Sequence, residues 1–187
     1  MIPEPCNLDP RIRRTRQMLF DALKGLLGEK SFEDISVQDL AERSTLNRAT
    51  FYDHFTDKFA LLEAMIDEGF RARFSARMAG SDGTCQAGLR QLILSICDYL
   101  SGHLARCQKI QRQFDPLVET RIKAVVGEFL GAALRHHGAT EREVALRSTM
   151  AGWAICGAAF DWNRDRKISA EALADSVLPI IEPILKV

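Results

Sequence analysis

Apolar residues recur along the chain with the 3.6-residue period of α-helices, and β-branched residues do not gather into alternating runs. Residues 11–27 carry such a stripe, and Gly28 follows it as a helix-ending residue. Ser36 and Asp39 have the spacing of a capping box before a second, short helix, and Asn47 has the side chain to cap a third. These signals predict three helices within the first 56 residues.

The remainder of the chain shows the same helical period. Asp57 is a good N-cap for a long helix that we expect to reach about Ala79, and residues 80–83 form the clearest break in the chain. Joints are also expected at Pro116 and Gly138. The predicted fold class is therefore all-α with about nine helices. The later helical patterns cover residues 84–102, 104–112, 117–137, 140–164 and 170–186.

The two short helices between Ser36 and Phe55 have the spacing of a helix-turn-helix. Ala41 is small enough to let two helices cross closely, and three larger apolar residues can fill their shared core. The second helix of such a unit enters the major groove of DNA. The segment therefore predicts sequence-specific DNA binding. The three core residues are Leu40, Leu46 and Phe51.

Residues 50–58, T-F-Y-D-H-F-T-D-K, resemble the signature T-[LF]-Y-x-H-F-x-x-K of the TetR-type (TetR/AcrR) family of one-component transcriptional regulators. The resemblance is strong over residues 11–66 and only architectural beyond them. It implies a homodimer whose N-terminal helix-turn-helix head, residues 1–56, binds DNA. It also implies that residues 57–187 form a helical body for regulation, ligand binding and dimerisation.

The same resemblance implies how the head meets an operator. Arg48 and Thr50 are the base-facing pair, whereas Tyr52, His54 and Lys58 mainly grip the DNA backbone. Lys58 lies in the first turn of the next helix, where its side chain and the helix N-terminus can both address a phosphate. The predicted DNA-binding residues are Arg13, Ser36, Gln38, Asn47, Arg48, Thr50, Tyr52, His54 and Lys58.

Two residues depart from the family pattern. Thr45 stands where the turn usually has glycine, and a left-handed β-branched residue costs on the order of 1–3 kcal/mol. Either Thr45 accepts this strain or the turn is built differently. Asp53 lies inside the recognition helix, so we expect it to point away from the DNA backbone or to accept a hydrogen bond from a cytosine amino group.

The charge balance excludes a binder that depends on bulk positive charge. The 25 Lys and Arg residues equal the 25 Asp and Glu residues, and residues 1–58 hold 9 against 10. The cations of the head must therefore be segregated. Arg11–Arg16, at a helix start where cations oppose the dipole, are expected to face phosphates together with Arg48 and Lys58. Few phosphate contacts and a shallow salt dependence of DNA affinity follow.

Residues 148–162 are apolar nearly all round a helix, which indicates a helix between the core and a partner subunit. The last helix has an apolar side suited to a four-helix dimer interface, and its Pro179 and Pro183 should kink or end it. The predicted interface residues are Thr149, Gly152, Cys156, Ala159, Val177, Ile180, Ile181 and Ile184.

The family resemblance also places a ligand cavity among the helices of the body. The ligand is an unknown small molecule that we expect to be at least partly apolar, and the alternative for each lining residue is plain core packing. The candidate lining residues are Ile66, Ile96, Leu100, Phe114, Phe129 and Trp153.

The predicted function is a cytoplasmic repressor released from a palindromic operator by this ligand. The alternative is a DNA-bound adaptor that acts through a protein partner without an inducer, and it predicts an exposed apolar patch on the body. No short catalytic motif, metal-ligand spacing or cofactor motif is present, so we expect no enzyme, metal or cofactor. Five scattered cysteines favour a reducing compartment and inert thiols, and no apolar run is long enough for a membrane span.

Overall fold

The structure, a computed structural model, describes residues 9–78, 85–103 and 108–186, and every regular element within these ranges is an α-helix. The predicted all-α fold class is confirmed. Nothing can be said of the expected break at residues 80–83, which lies outside the described residues. The helices are α1 (Pro10–Leu27), α2 (Val37–Ser44), α3 (Arg48–His54), α4 (Lys58–Met78), α5 (Gln86–His103), α6 (Gln108–His136), α7 (Glu141–Asp165) and α8 (Ala170–Leu185).

The described ranges hold eight helices rather than nine, because α6 runs through Pro116. The predicted joint there is wrong. A proline inside a helix removes one backbone hydrogen bond, and the buried residues that follow it, Val118 and Ile122, anchor the helix in the core. Pro179 and Pro183 likewise lie inside α8 and do not end it.

Helices α1–α3 begin at side-chain caps. Asp9 accepts a hydrogen bond from the backbone N–H of Arg11, and Pro10 follows it at the start of α1. The predicted capping box of α2 is confirmed, with Ser36 and Asp39 each bonding the other's backbone N–H. Asn47 caps α3 by accepting from the backbone N–H of Thr50 at 2.7 Å. These caps fix helices that are too short to be stable on their own.

The turn between α2 and α3 has the ordinary left-handed geometry despite its threonine. Thr45 adopts φ 58° and ψ 27°, and its backbone N–H bonds the carbonyls of Ala41 and Glu42. Leu46 N–H also bonds the carbonyl of Ala41, at 2.9 Å. These hydrogen bonds and the packing of the helix pair offset the strain at Thr45.

Helix α4 carries the head into the body. Asp57 caps it, accepting from the backbone N–H of Ala60 at 2.8 Å. Its buried stripe packs against α5 and α6. Phe59, in the first turn of α4, is 55% exposed, with its ring edge-on to buried Phe32. The buried residues of α4 are Leu61, Leu62, Ile66, Phe70, Phe74 and Met78.

Helices α5–α8 share one apolar core with α4. Helix α6 packs closely along α7, where Gly152 approaches the backbone of Gly127. Two ion pairs join α4 to α6, Glu63 with Arg121 and Arg71 with Glu128. Within the described ranges, no helix is long and apolar enough to cross a membrane.

Candidate nucleic-acid interface

Helix α3 presents polar side chains on a buried aromatic base. Phe51 is fully buried, and the ring of Tyr52 packs edge-on against it while remaining 51% exposed. His54 is half-buried beside the ring of Phe55. Tyr52 therefore reaches solvent from a fixed position, as a side chain that meets a DNA backbone must.

The first turn of α3 holds the predicted base-facing pair. Arg48 is exposed, and its guanidinium has no side-chain partner within the described ranges. Thr50 is half-buried, and its hydroxyl donates to the Asn47 carboxamide oxygen at 3.0 Å. Asn47 is therefore engaged as a helix cap on two sides. Asp53 is exposed on the same helix.

The start of α2 is similarly engaged within the protein. The Ser36 hydroxyl bonds Asp39, and the Gln38 carboxamide donates to Glu42 at 2.6 Å on the same exposed helix face. The ammonium of Lys30 and the capping hydrogen bonds of Ser36 hold the pKa of the Asp39 carboxyl well below its ordinary value. Asp39 therefore stays ionised and neutralises Lys30, and neither group is free for DNA.

The arginine cluster at the start of α1 divides into two parts. Arg11, Arg13 and Arg14 are exposed, without ion pairs among the residues described. Arg16 instead turns inward: its guanidinium lies 4.5 Å from the ring centroid of Phe55 and pairs with Glu68 of α4. The expectation that Arg16 faces phosphates is wrong, because its guanidinium forms the ion pair with Glu68 that joins α1 to α4.

Lys58 is also turned inward. Its ammonium donates to the carbonyl oxygens of Phe32, Glu33 and Ile35, each at 2.8 Å. It also lies 4.8 Å from the centre of the Phe32 ring. In this structure Lys58 does not present the free ammonium that the predicted phosphate contact requires.

Fewer cations are exposed in the described part of the head than the predicted charge segregation requires. Glu29 pairs with Arg43, and Asp39 pairs with Lys30, so two further cations of the head are neutralised by carboxylates. The cations left exposed without an ion pair in the described part of the head are Arg11, Arg13, Arg14 and Arg48.

Most of the predicted ligand-lining residues lie in the body core. Ile66, Ile96, Leu100 and Phe129 are buried there. The prediction for Trp153 is wrong: it is 64% exposed on α7, because it points away from the core towards Lys123, whose ammonium is 4.7 Å from its ring centroid. The side chain of Phe114 lies outside the described residues.

An open groove of about 460 Å³ lies between α4 and α5, on the outside of this core. None of the predicted ligand-lining residues contributes to it. Beneath it the rings of Phe70, Phe74, Tyr99 and Phe129 pack against one another. The groove is lined by Arg73, Ala76, Arg77, Ser95, Asp98 and Tyr99.

Five of the predicted interface residues are buried inside the protomer, which corrects their assignment. Gly152 faces α6, where it allows the close α6–α7 contact, and so it is not available to a partner. Ile180 and Thr149 are exposed, and Ile184 is half-buried. The five buried residues are Gly152, Cys156, Ala159, Val177 and Ile181.

The large apolar residues exposed on this side were missed. Leu146, Met150 and Trp153 of α7 have i, i+4, i+7 spacing and so share one helix face, and Ile180 is exposed on the neighbouring helix α8. That spacing is visible in the sequence, but the interface was predicted at the small residues on the other face of α7. We call these four residues the α7–α8 face.

Two other sequence expectations concern chemistry in the body. Burial raises the pKa of the Cys97 thiol to about 11 and that of the Cys156 thiol to about 12, so both stay protonated near neutral pH, as inert thiols do. Within the described ranges, no group of three or more metal-ligating side chains comes together.

Comparisons with known proteins agree with the helix-turn-helix geometry. Residues 19–65 match the family model described as bacterial regulatory proteins, tetR family. The chain is 42% identical over 61 residues to the uncharacterized HTH-type transcriptional regulator YxbF of Bacillus subtilis (strain 168). That match covers 32% of this chain and only 16% of the length of YxbF.

Two solved structures share the fold along most of the chain. A TetR transcriptional regulator from Streptococcus agalactiae 2603V is 20% identical with a TM-score of 0.61, covering 92% of this chain and 96% of the other. The regulator FadR from Bacillus subtilis, in complex with stearoyl-CoA, is 18% identical with a TM-score of 0.56, covering 88% and 96%. Residues 19–65 therefore match the helix-turn-helix region of the tetR family, and the chain shares its fold with these solved regulators.

Proposed function

We propose that the chain is a repressor that binds a palindromic operator as a homodimer and leaves it when a small molecule binds the body. The observation that carries the DNA-binding part is α3, which exposes Arg48 and Tyr52 on a buried Phe51. In this proposal residues 1–56 form the DNA-binding domain and residues 57–187 the regulatory and dimerisation domain.

The proposed DNA contacts come from α3, from the capped starts of α2 and α3, and from the exposed start of α1. Arg48 and Thr50 read base edges in the major groove, and Tyr52 and His54 contact the backbone. Ser36, Gln38 and Asn47 lie at the starts of α2 and α3, where the helix N-termini favour phosphates. Arg13 adds a phosphate contact from α1.

Selection of bound DNA from a random pool tests this proposal. The wild-type protein should enrich a palindrome with half-sites about 34 Å apart or a multiple of that. The combined variant R48A/T50A/Y52A should enrich nothing, whereas R142A, which removes an exposed arginine of α7, should enrich the wild-type palindrome. Enrichment of the same sequence by the combined variant would contradict the assignment of α3.

The α7–α8 face supports dimerisation through those two helices. Four large apolar residues are exposed on these two neighbouring helices, and subunits bury exposed apolar side chains of this kind against each other. We propose a second copy of this chain as its occupant, since an isologous pair brings two heads to the two halves of a palindrome. A protein partner on the same face would instead support the adaptor alternative.

The ligand part of the proposal is supported by the body. FadR of Bacillus subtilis was solved with stearoyl-CoA, and the present chain packs an aromatic cluster between α4, α5 and α6. An inducer at least partly apolar suits that environment. It must bind the operator-free state more tightly than the operator-bound state to cause release.

An organic-solvent extract of cells that express the protein provides the test. Adding the extract to the operator complex should release the DNA, and fractionation should follow the releasing activity to one compound. An inactive extract, together with capture of one protein by the DNA-bound form but not by the free form, would favour the adaptor instead. Because the target is operator DNA, we place the protein in the cytoplasm and assign it no catalytic role, metal or cofactor.

A further inference from the structure

We infer that Lys58 is a positioning residue for DNA binding and not a phosphate-binding one. Its ammonium fixes the segment between α1 and α2, residues 28–36, onto the start of α4. It thereby fixes the positions of α2 and α3 relative to α4 when these helices bind the duplex. The inference rests on the proposed DNA binding and concerns which side chains carry it.

The geometry at Lys58 uses the whole ammonium group. An ammonium has three N–H donors, and here three carbonyl oxygens lie at hydrogen-bond distance, those of Phe32, Glu33 and Ile35 at 2.8 Å each. The Phe32 ring faces the same charge, with 4.8 Å between Nζ and the ring centroid. No donor remains for a phosphate unless Lys58 leaves this site.

The segment held by Lys58 leads directly into the DNA-binding unit. Phe32 and Ile35 are buried, and the N–H of Ile35 bonds the Phe32 carbonyl in a tight turn. Ser36, the cap of α2, is the next residue. Holding these carbonyls on the first residue of α4 therefore fixes the N-terminus of α2 relative to α4.

A second cation acts in the same way at another point. Arg16 of α1 donates from Nε to Glu68 of α4 at 3.0 Å, and its guanidinium stacks on Phe55, the residue that ends α3. The head is thus fastened to α4 at both ends of its helix-turn-helix. The sequence pattern assigns Arg16 and Lys58 to DNA contacts, but in the structure both side chains hold the head in its orientation on α4.

Three variants, K58M, K58R and R13M, separate the two roles when operator affinity is measured against salt concentration. Each phosphate contact contributes about 0.9 to the slope of log affinity against log salt. For a positioning lysine, K58M should lower affinity about 10-fold or more at every salt concentration and leave the slope unchanged. R13M, which removes an exposed guanidinium assigned to a phosphate, should make the slope shallower by about 0.9 per protomer.

The K58R variant gives the sharpest contrast. A guanidinium binds phosphate well, but its planar fork cannot direct three N–H groups to three carbonyls around one point. We expect K58R to lose affinity and melting temperature nearly as K58M does. Wild-type affinity and melting temperature for K58R, with a slope for K58M shallower by about 0.9 per protomer, would overturn the inference.

Folding is checked by circular dichroism before binding is measured. If K58M alone fails to fold while R13M folds, the positioning role is supported, because loss of a surface phosphate contact does not unfold a protein. K58R then supplies the binding data. Failure of the proposed function is distinct from all of these outcomes, since it appears as absence of operator binding by the wild-type protein.

Discussion

The head and the α7–α8 face expose opposite kinds of chemistry. In the head, the large apolar side chains are mostly buried, and the polar groups around α2 and α3 are held by caps and ion pairs. On the α7–α8 face, Met150, Trp153 and Ile180 are exposed above a well-packed core. The head is therefore a preformed polar surface, whereas the α7–α8 face is apolar area that gains stability only when covered.

The difference indicates what each surface meets. Phosphates and base edges are recognised by hydrogen bonds and charges in fixed positions, so a DNA-binding surface needs rigid polar groups. A second subunit is held mainly by burial of apolar area. The α4 helix lies between the two, tied to the head through Arg16 and Lys58 and to α6 through Arg71.

The largest expected effect comes from emptying the core of the head. F51A removes a fully buried ring and should lower the free energy of unfolding by about 3–5 kcal/mol, with loss of operator binding. The matched variant F59A removes a ring that is 55% exposed and should cost about 1 kcal/mol or less. Urea denaturation followed by circular dichroism measures both values, and equal costs would show that the head is not packed around Phe51.

The next effect concerns the α7–α8 face. W153D places a charge on the α7–α8 face and should convert the dimer to monomer, with operator affinity falling about 100-fold because the two heads are no longer joined. Sedimentation velocity and operator titration measure the two changes. I168D changes an exposed apolar residue between α7 and α8 but outside the face, and it should leave both unchanged. A W153D protein that remains dimeric would place the interface elsewhere.

A smaller effect compares two capping boxes, one in the head and one in the body. S36A and T140A each remove the cap of a helix, α2 or α7, and each should lower the free energy of unfolding by about 0.5–2 kcal/mol. Only S36A should also lower operator affinity beyond what its stability explains, since α2 lies in the DNA-binding unit. Equal operator affinities of the two folded variants would mean that the α2 N-terminus does not meet DNA.

The smallest effect is the pH dependence of stability that Asp39 produces in the capping box of α2. The pKa of Asp39 lies below its ordinary value of 3.8 because of Lys30 and Ser36, so its contribution to stability is complete above about pH 3.8 and is lost as the pH falls towards the lowered pKa. The D39N variant lacks this titration. Its free energy of unfolding should therefore fall less than that of the wild type between about pH 5 and about pH 3, a range that brackets the ordinary pKa of 3.8. Parallel acid denaturation curves for D39N and the wild type would contradict the shifted pKa.

The local features of the head follow from the sequence, because they depend on neighbours a few residues apart. Ser36 with Asp39 and Asn47 with Thr50 are spaced as caps must be, and the structure has both. The αL conformation of Thr45 could not be decided in advance, since its cost is offset by packing and hydrogen bonds formed only in the folded head.

The directions of long side chains could not be predicted from spacing. Lys58 reaches carbonyls 23 to 26 residues earlier in the chain, and Arg16 pairs with a carboxylate 52 residues later. A lysine that faces a phosphate and one that faces three carbonyls look the same in sequence. The two faces of α7 were likewise confused, since both combine small and large apolar residues and only the packing against α6 distinguishes them.

The most direct test of two heads held by one dimer is a change in half-site spacing. Wild-type affinity is measured for the selected palindrome and for the same sequence with about five base pairs, half a helical turn, inserted at its centre. The insertion rotates one half-site to the opposite side of the duplex, so affinity should fall about 100-fold or more while each half-site is unchanged. Equal affinity for the two duplexes would contradict a dimer that positions both α3 helices on one DNA face.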